Sequence, residues 1–176
     1  MGVKVTLSHT MVKQVVDIGK VRAKNYASQY RKETQQINYK IDIEGDVTAD
    51  EFLARQVLYV ATEMAVCVWS GIPGAVPNND NRKDKADVGA NMEVKYNTNG
   101  PDLFIDAPDR PSDIAILVKG EWPTFELMGW AKVADVQQPQ YAFMRPGTYR
   151  MLASELRPMD HLEVKGDTAY ERLHTL

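Results

Sequence analysis

The stretch Lys-Ala-Asp-Val-Gly-Ala-Asn-Met-Glu-Val-Lys, residues 85–95, decides how the rest of the chain is read. Side chains two apart on a strand share a face, so Glu93 and Lys95 project together. Gly89 and Asn91 are turn formers and allow a bend that folds Asp87 back toward Glu93. Two carboxylates and an amine converging at one sheet edge suit a hard divalent cation beside an activated water. Such a group is equipped to hydrolyse a phosphodiester.

Upstream, Thr48 and Glu51 form a capping box, so a helix is expected from Ala49. It runs to about Trp69, where Ser70-Gly71 and Pro73 stop it. Its second half, Val57 to Trp69, is nearly all apolar and should be buried on most faces. Glu63 is the exception. Either it reaches solvent on a narrow strip with Gln56 and Tyr59, or it faces the same site as Asp87. Strands are expected at about 86–89, 92–97, 103–106, 113–119 and 124–133. Ile114 to Val118 is a continuous apolar run, as in a strand covered on both faces. Further out, residues 2–7 read as a short strand, 11–36 as a helix, 37–43 as a strand and 146–157 as a short helix ended by Pro158. Residues 71–86 read as a loop that carries Arg82, Lys83 and Lys85 up to Asp87.

The ordered set of Glu63 in Ala-Thr-Glu-Met-Ala-Val-Cys (61–67), the motif Asp87-x5-Glu93-x-Lys95, and the paired strands 113–120 and 125–131 resembles the PD-(D/E)XK nuclease superfamily. The likeness is to the small nucleases of phages and mobile elements, over about residues 48–158. It implies an α/β fold with a restriction-endonuclease-like core: a mixed central β-sheet of four or five strands flanked by helices. The chain would be a single domain, 1–176, with an extra N-terminal basic helix at about 10–36. The implied activity is that of a Mg²⁺-dependent nuclease, an endonuclease acting on DNA, with Mn²⁺ as a substitute ion. Asp87, Glu93, the backbone carbonyl of Val94 and Glu63 would hold the metal, and Lys95 would hold or help deprotonate the attacking water. A non-catalytic nucleic-acid-binding or inhibitory protein on the same scaffold is the alternative. A homodimer would let two such sites cut both strands. A phage origin would place the protein in the host cytoplasm.

The net charge of −3 does not favour DNA binding, but its distribution does. Residues 1–40 hold eight bases against Asp17 and Glu33, a local charge of +6 that leaves −9 for the remainder. Lys13, Lys20, Lys24 and Arg31 fall on one helix face, partly neutralised by Asp17. With Arg82, Lys83 and Lys85 they are the candidate phosphate contacts. The single Cys67 cannot form an internal disulfide, which suits an intracellular setting. No uninterrupted run of eighteen apolar residues and no signal-peptide layout are present, so no membrane partner is expected. His9, His161 and His174 lack ligand spacing and argue against zinc. No nucleophile elbow or P-loop occurs. Glu-Val-Lys recurs at 163–165. That copy is set aside because Asp160 is too close for a hairpin and the eleven residues after Lys165 are too few for the strands that should flank a site.

Overall fold

The computed structural model describes residues 2–32, 49–78, 85–98 and 100–172, with only the backbone over 26–32. At its centre is a four-stranded sheet in the order β1 (Val3–Thr6), β5 (Thr124–Lys132), β4 (Ile114–Glu121), β2 (Met92–Tyr96). β2 runs parallel to β4, and the β1–β5 and β4–β5 pairs are antiparallel. The fold is therefore mixed α/β with a mixed central sheet, as expected.

Alternation along β4 divides the core into two. Ile114, Ile116 and Val118 face one cluster, and Ala115 and Leu117 face the other. The first cluster takes in Val15 from helix α1 (His9–Lys32) and Val60, Ala61 and Met64 from helix α2 (Ala49–Ser70). The second takes in Leu103 and Ile105 from β3 (Leu103–Asp106) and Met151 from β6 (Thr148–Met151). Each large apolar side chain buried this way contributes roughly 1.5–3 kcal/mol. A sheet covered on both faces explains why β4 reads as an unbroken apolar run.

α2 is long and apolar enough, by length and composition alone, to cross a bilayer. Here its apolar second half packs between α1 and the sheet. Gly19 of α1 marks the helix crossing. A Cβ there would sit 2.7 Å from Val57 Cγ2 and 2.9 Å from Val57 Cα. Gly19→Ala is therefore expected to destabilise the protein by about 1–3 kcal/mol through overpacking. Alanine's better helix propensity, worth about 1 kcal/mol, offsets only part of that. Equilibrium denaturation measures the balance, and a net gain would show that the two helices part freely.

Three expected elements differ. Residues 86–89 are not a strand; only an isolated Val88–Met92 bridge forms, closing a tight turn over Gly89 at φ +58°. β3 does not join the central sheet but pairs with β6 as a separate antiparallel ribbon. The expected helix over 146–157 is instead β6 followed by a 3-10 turn at Ala153–Glu155. Pairing with β3, which puts Phe104 opposite Arg150, overrides the local helical pattern. The expected strand at 37–43, and Thr48 of the capping box, lie outside the described residues.

Past β6 the chain forms a hairpin of β7 (Leu162–Lys165) and β8 (Thr168–Glu171). The hairpin is fastened to the turn that joins Asp87 to β2. Asn91 Nδ2 donates to the Ala169 carbonyl at 3.0 Å, and the Ala169 N–H donates to Asn91 Oδ1 at 2.8 Å. The Ala90 N–H donates to the Asp167 carbonyl at 2.8 Å. The backbone passes so close here that a Cβ on Gly89 would lie 2.2 Å from that carbonyl oxygen.

Candidate active site beside strand β2

Among the described residues β2 is the last strand of the sheet, and the site is built around its outer side. Register sets which groups meet. Met92 and Val94 belong to the helix-side core, so Glu93 and Lys95 project from the opposite face. The expectation that Glu93 and Lys95 share a face holds. Asp87 sits at the edge itself, where its Oδ2 accepts the Val94 N–H at 2.8 Å. In a strand the N–H and C=O of one residue point to the same side, so the Val94 carbonyl also opens toward that edge.

Glu63 comes from the other side. It is buried at 5 % exposure, so the reading in which it reaches solvent beside Tyr59 does not hold. Its partner is Arg22, which grips both carboxylate oxygens; Arg22 NH1 donates to Oε1 at 2.7 Å, and NH2 donates to Oε2. Arg22 Nε also donates to the Asn78 carbonyl at 2.6 Å, tying the segment before Lys85 to α1. The Asn78 N–H in turn donates to the Asp87 carbonyl at 3.4 Å. Arg22 is thus the buried hub of this side of the site.

Charge binds the two sides together. Burial, then the neighbouring Asp87, push the Glu63 carboxyl up to about 8 against the pull of Arg22. Burial and Asp87 likewise push Glu93 up, and Lys95 opposes them. Asp87 therefore stands close enough to feel both acids around the strand edge. Lys95 Nζ bridges Glu93 Oε1 at 2.9 Å and Asp109 Oδ2 at 2.6 Å. Burial works against its charge, but Glu93 and Asp109 outweigh burial and hold the amine protonated, above the usual lysine range. Asp109 is almost wholly buried and also accepts the Asp106 N–H at 2.9 Å. The burial and the acids around Cys67 push its thiol up to about 12, so it serves as a packing residue.

With every carboxyl ionised, Glu63, Asp87, Glu93 and Asp109 against Arg22 and Lys95 leave this cluster at a formal −2, the charge one divalent cation would balance, and a bound cation would favour that ionised state. The donor chemistry of carboxylates and a backbone carbonyl fits Mg²⁺, which keeps several waters and needs only one or two protein carboxylates. Among the described residues, no three His, Cys, Asp or Glu side chains are grouped so as to hold an ion by themselves. Asp87, Glu93 and the Val94 carbonyl are the groups that would hold it, with Glu63 acting at longer range. Mg²⁺ is expected to raise Tm, and more at pH 8 than at pH 6. Below a raised carboxyl pKa, protons compete with the cation; above it they do not. Saturation at a hundred times Kd corresponds to about 2.7 kcal/mol. Thermal melts at the two pH values read this out, and an equal shift at both would remove these carboxyls from the binding site.

The α1 stripe does not feed this site. Arg22 lies two residues from both Lys20 and Lys24, about 200° around the helix, so a buried Arg22 sends them to the opposite side. Lys13, Lys20 and Lys24 are accordingly exposed. Lys85 does lie beside Asp87, at the rim of a cleft. Arg82 and Lys83 fall outside the described residues, and of Arg31 only the backbone is described. The second Glu-Val-Lys does lie on a strand flanked by another, β8, contrary to expectation. Its Glu163–Lys165 pair, at 2.9 Å, joins an exposed lysine to a half-buried acid.

Two residues of the site escape the sequence. Arg22 had a signal: Val15, Ile18 and Arg22 form one helical stripe, and an arginine there needs a buried acid. Asp109 had none, because it sits in a turn whose partner, Lys95, is set by tertiary packing. The chain matches no protein-family model, no curated protein and no solved structure.

Proposed function

We propose that the protein is a metal-dependent nuclease with a restriction-endonuclease-like core, hydrolysing phosphodiester bonds in DNA. The observation that carries this reading is Asp87, held on the Val94 N–H beside β2, where its charge raises the carboxyls of Glu63 and Glu93 and where Lys95 pairs with Glu93. Asp87, Glu93 and the Val94 carbonyl would hold Mg²⁺ or Mn²⁺, which supplies positive charge against the phosphate and acidifies a water. Lys95 is an ammonium, so its role is to donate to an oxygen on which charge develops rather than to remove a proton. Asp109 and Glu93 fix the direction of that donor. Glu63, anchored by Arg22, adds negative charge that favours cation binding at the edge once it ionises, above about pH 8.

The second reading is a non-catalytic nucleic-acid-binding or inhibitory protein. It is favoured by the ion pairs of Arg22 and Lys95, which already engage Glu63, Glu93 and Asp109. One assay separates the two. Plasmid, linear duplex and single-stranded DNA are incubated with Mg²⁺, Mn²⁺ or EDTA, using wild type and Asp87→Asn. Metal-dependent cleavage by wild type alone is the expected result. Binding with no turnover under any condition would establish the second reading.

A further inference from the structure

Beside Asp87 the surface opens into a cleft of ≈ 530 Å³. Ile18, Pro77 and Ala90 give it aliphatic walls, and Lys85, Asp87 and Arg110 line it as well. Arg110 is set in place by Asp113, to which its Nε donates at 2.9 Å, and by the Ala90 carbonyl, 3.2 Å from NH2. The volume is that of a site for one small organic molecule, within the roughly 300–1,000 Å³ such sites span. We propose that this cleft receives a single strand of nucleic acid, with the backbone tracking Lys85 and Arg110 and an unstacked base against the aliphatic walls.

Three observations carry this. The cations line the same cleft as Asp87, the acid on which the proposed chemistry depends, so a phosphate held by them lies beside that acid. The aliphatic surface is useless to a duplex, whose base faces are stacked inside, but suits a splayed base. The larger basic surface, the Lys13–Lys20–Lys24 stripe, faces the other way and cannot grip a strand entering here. The proposal rests on the nuclease reading for its choice of nucleic acid, and it adds which form enters and by which residues.

The test reads binding without turnover. Fluorescence anisotropy compares a labelled oligothymidylate with a blunt duplex of equal length, with Ca²⁺ in place of Mg²⁺. The single strand is expected to bind about tenfold more tightly than the duplex. Lys85→Ala should weaken it and lower the salt-dependence slope by about 0.7, the value of one phosphate contact on a single strand. Arg110→Lys, which keeps a charge opposite Asp113 but loses the two-pronged grip, should also weaken it. Lys20→Ala/Lys24→Ala should leave it unchanged. Equal affinity for duplex, or loss in the α1 double variant with Lys85→Ala unaffected, overturns the proposal. Single-strand binding by a protein that never cleaves would instead overturn the nuclease reading and leave the cleft assignment standing.

Discussion

Replacing Arg22 with methionine is expected to cost about 3–5 kcal/mol near pH 8 and distinctly less near pH 5. The size follows from leaving Glu63 buried without the cation that grips both its oxygens. The pH dependence follows from the raised carboxyl. Between its ordinary value of 4.5 and about 8, the unfolded chain has released the proton that the folded one retains. The folded state then binds more protons, so stability falls as pH rises, by up to about 1.4 kcal/mol per pH unit. Below 4.5 both states are protonated and this loss is absent. Removing Arg22 raises the folded value further, extends the losing window upward and makes the penalty grow with pH. Denaturant titrations of wild type and variant at both pH values measure it. Adding Glu63→Leu to Arg22→Met should recover much of the loss, because an apolar pair often replaces a buried ion pair without penalty. A pH-independent loss that the second change does not rescue would assign Arg22's effect to packing and to its hold on Asn78.

If the protein is the proposed nuclease, Lys95→Met is expected to reduce cleavage by about 10²–10³ in kcat, the usual consequence of removing one donor aimed at developing charge. KM for DNA should change little, because the amine already engages Glu93 and Asp109 and, in the proposed reaction, would meet the reacting group rather than the length of the substrate. Lys95→Arg should not rescue, since a planar guanidinium cannot occupy the place of a compact ammonium held between two acids. Each variant needs a circular-dichroism melt beside the kinetics, because Asp109 loses its partner. The double variant Lys95→Met/Asp109→Asn removes that stranded charge. If it melts like wild type and remains inactive, the loss belongs to chemistry. Full activity in a folded Lys95→Met protein would remove Lys95 from the mechanism.

Much of the core was legible because its elements carry local signals. α2 begins at Ala49 with Asp50 and Glu51 in its first turn and ends at Ser70, as its sequence punctuation implies. β3 matches its expected span, and β4 and β5 differ from theirs by a residue or two at the ends. Failures came where a distant partner decides. Thr148–Met151 is a strand only because β3 lies beside it. Val88 makes a single bridge because Gly89 turns the chain before a ladder can grow. The spacing of Asp87, Glu93 and Lys95 showed that they could meet. It could not show that Glu63 approaches around the strand edge from the other face, or that Lys95 would be shared with Asp109.

The lacing of Asn91 to Ala169 has a temporal consequence. The turn between the two motif acids is completed by residues made 78 positions later. During synthesis, Asp87 and Glu93 leave the ribosome long before their brace exists. A nascent or prematurely terminated chain thus carries the acids without the geometry, and any hydrolytic capacity is withheld until the β7–β8 hairpin has docked.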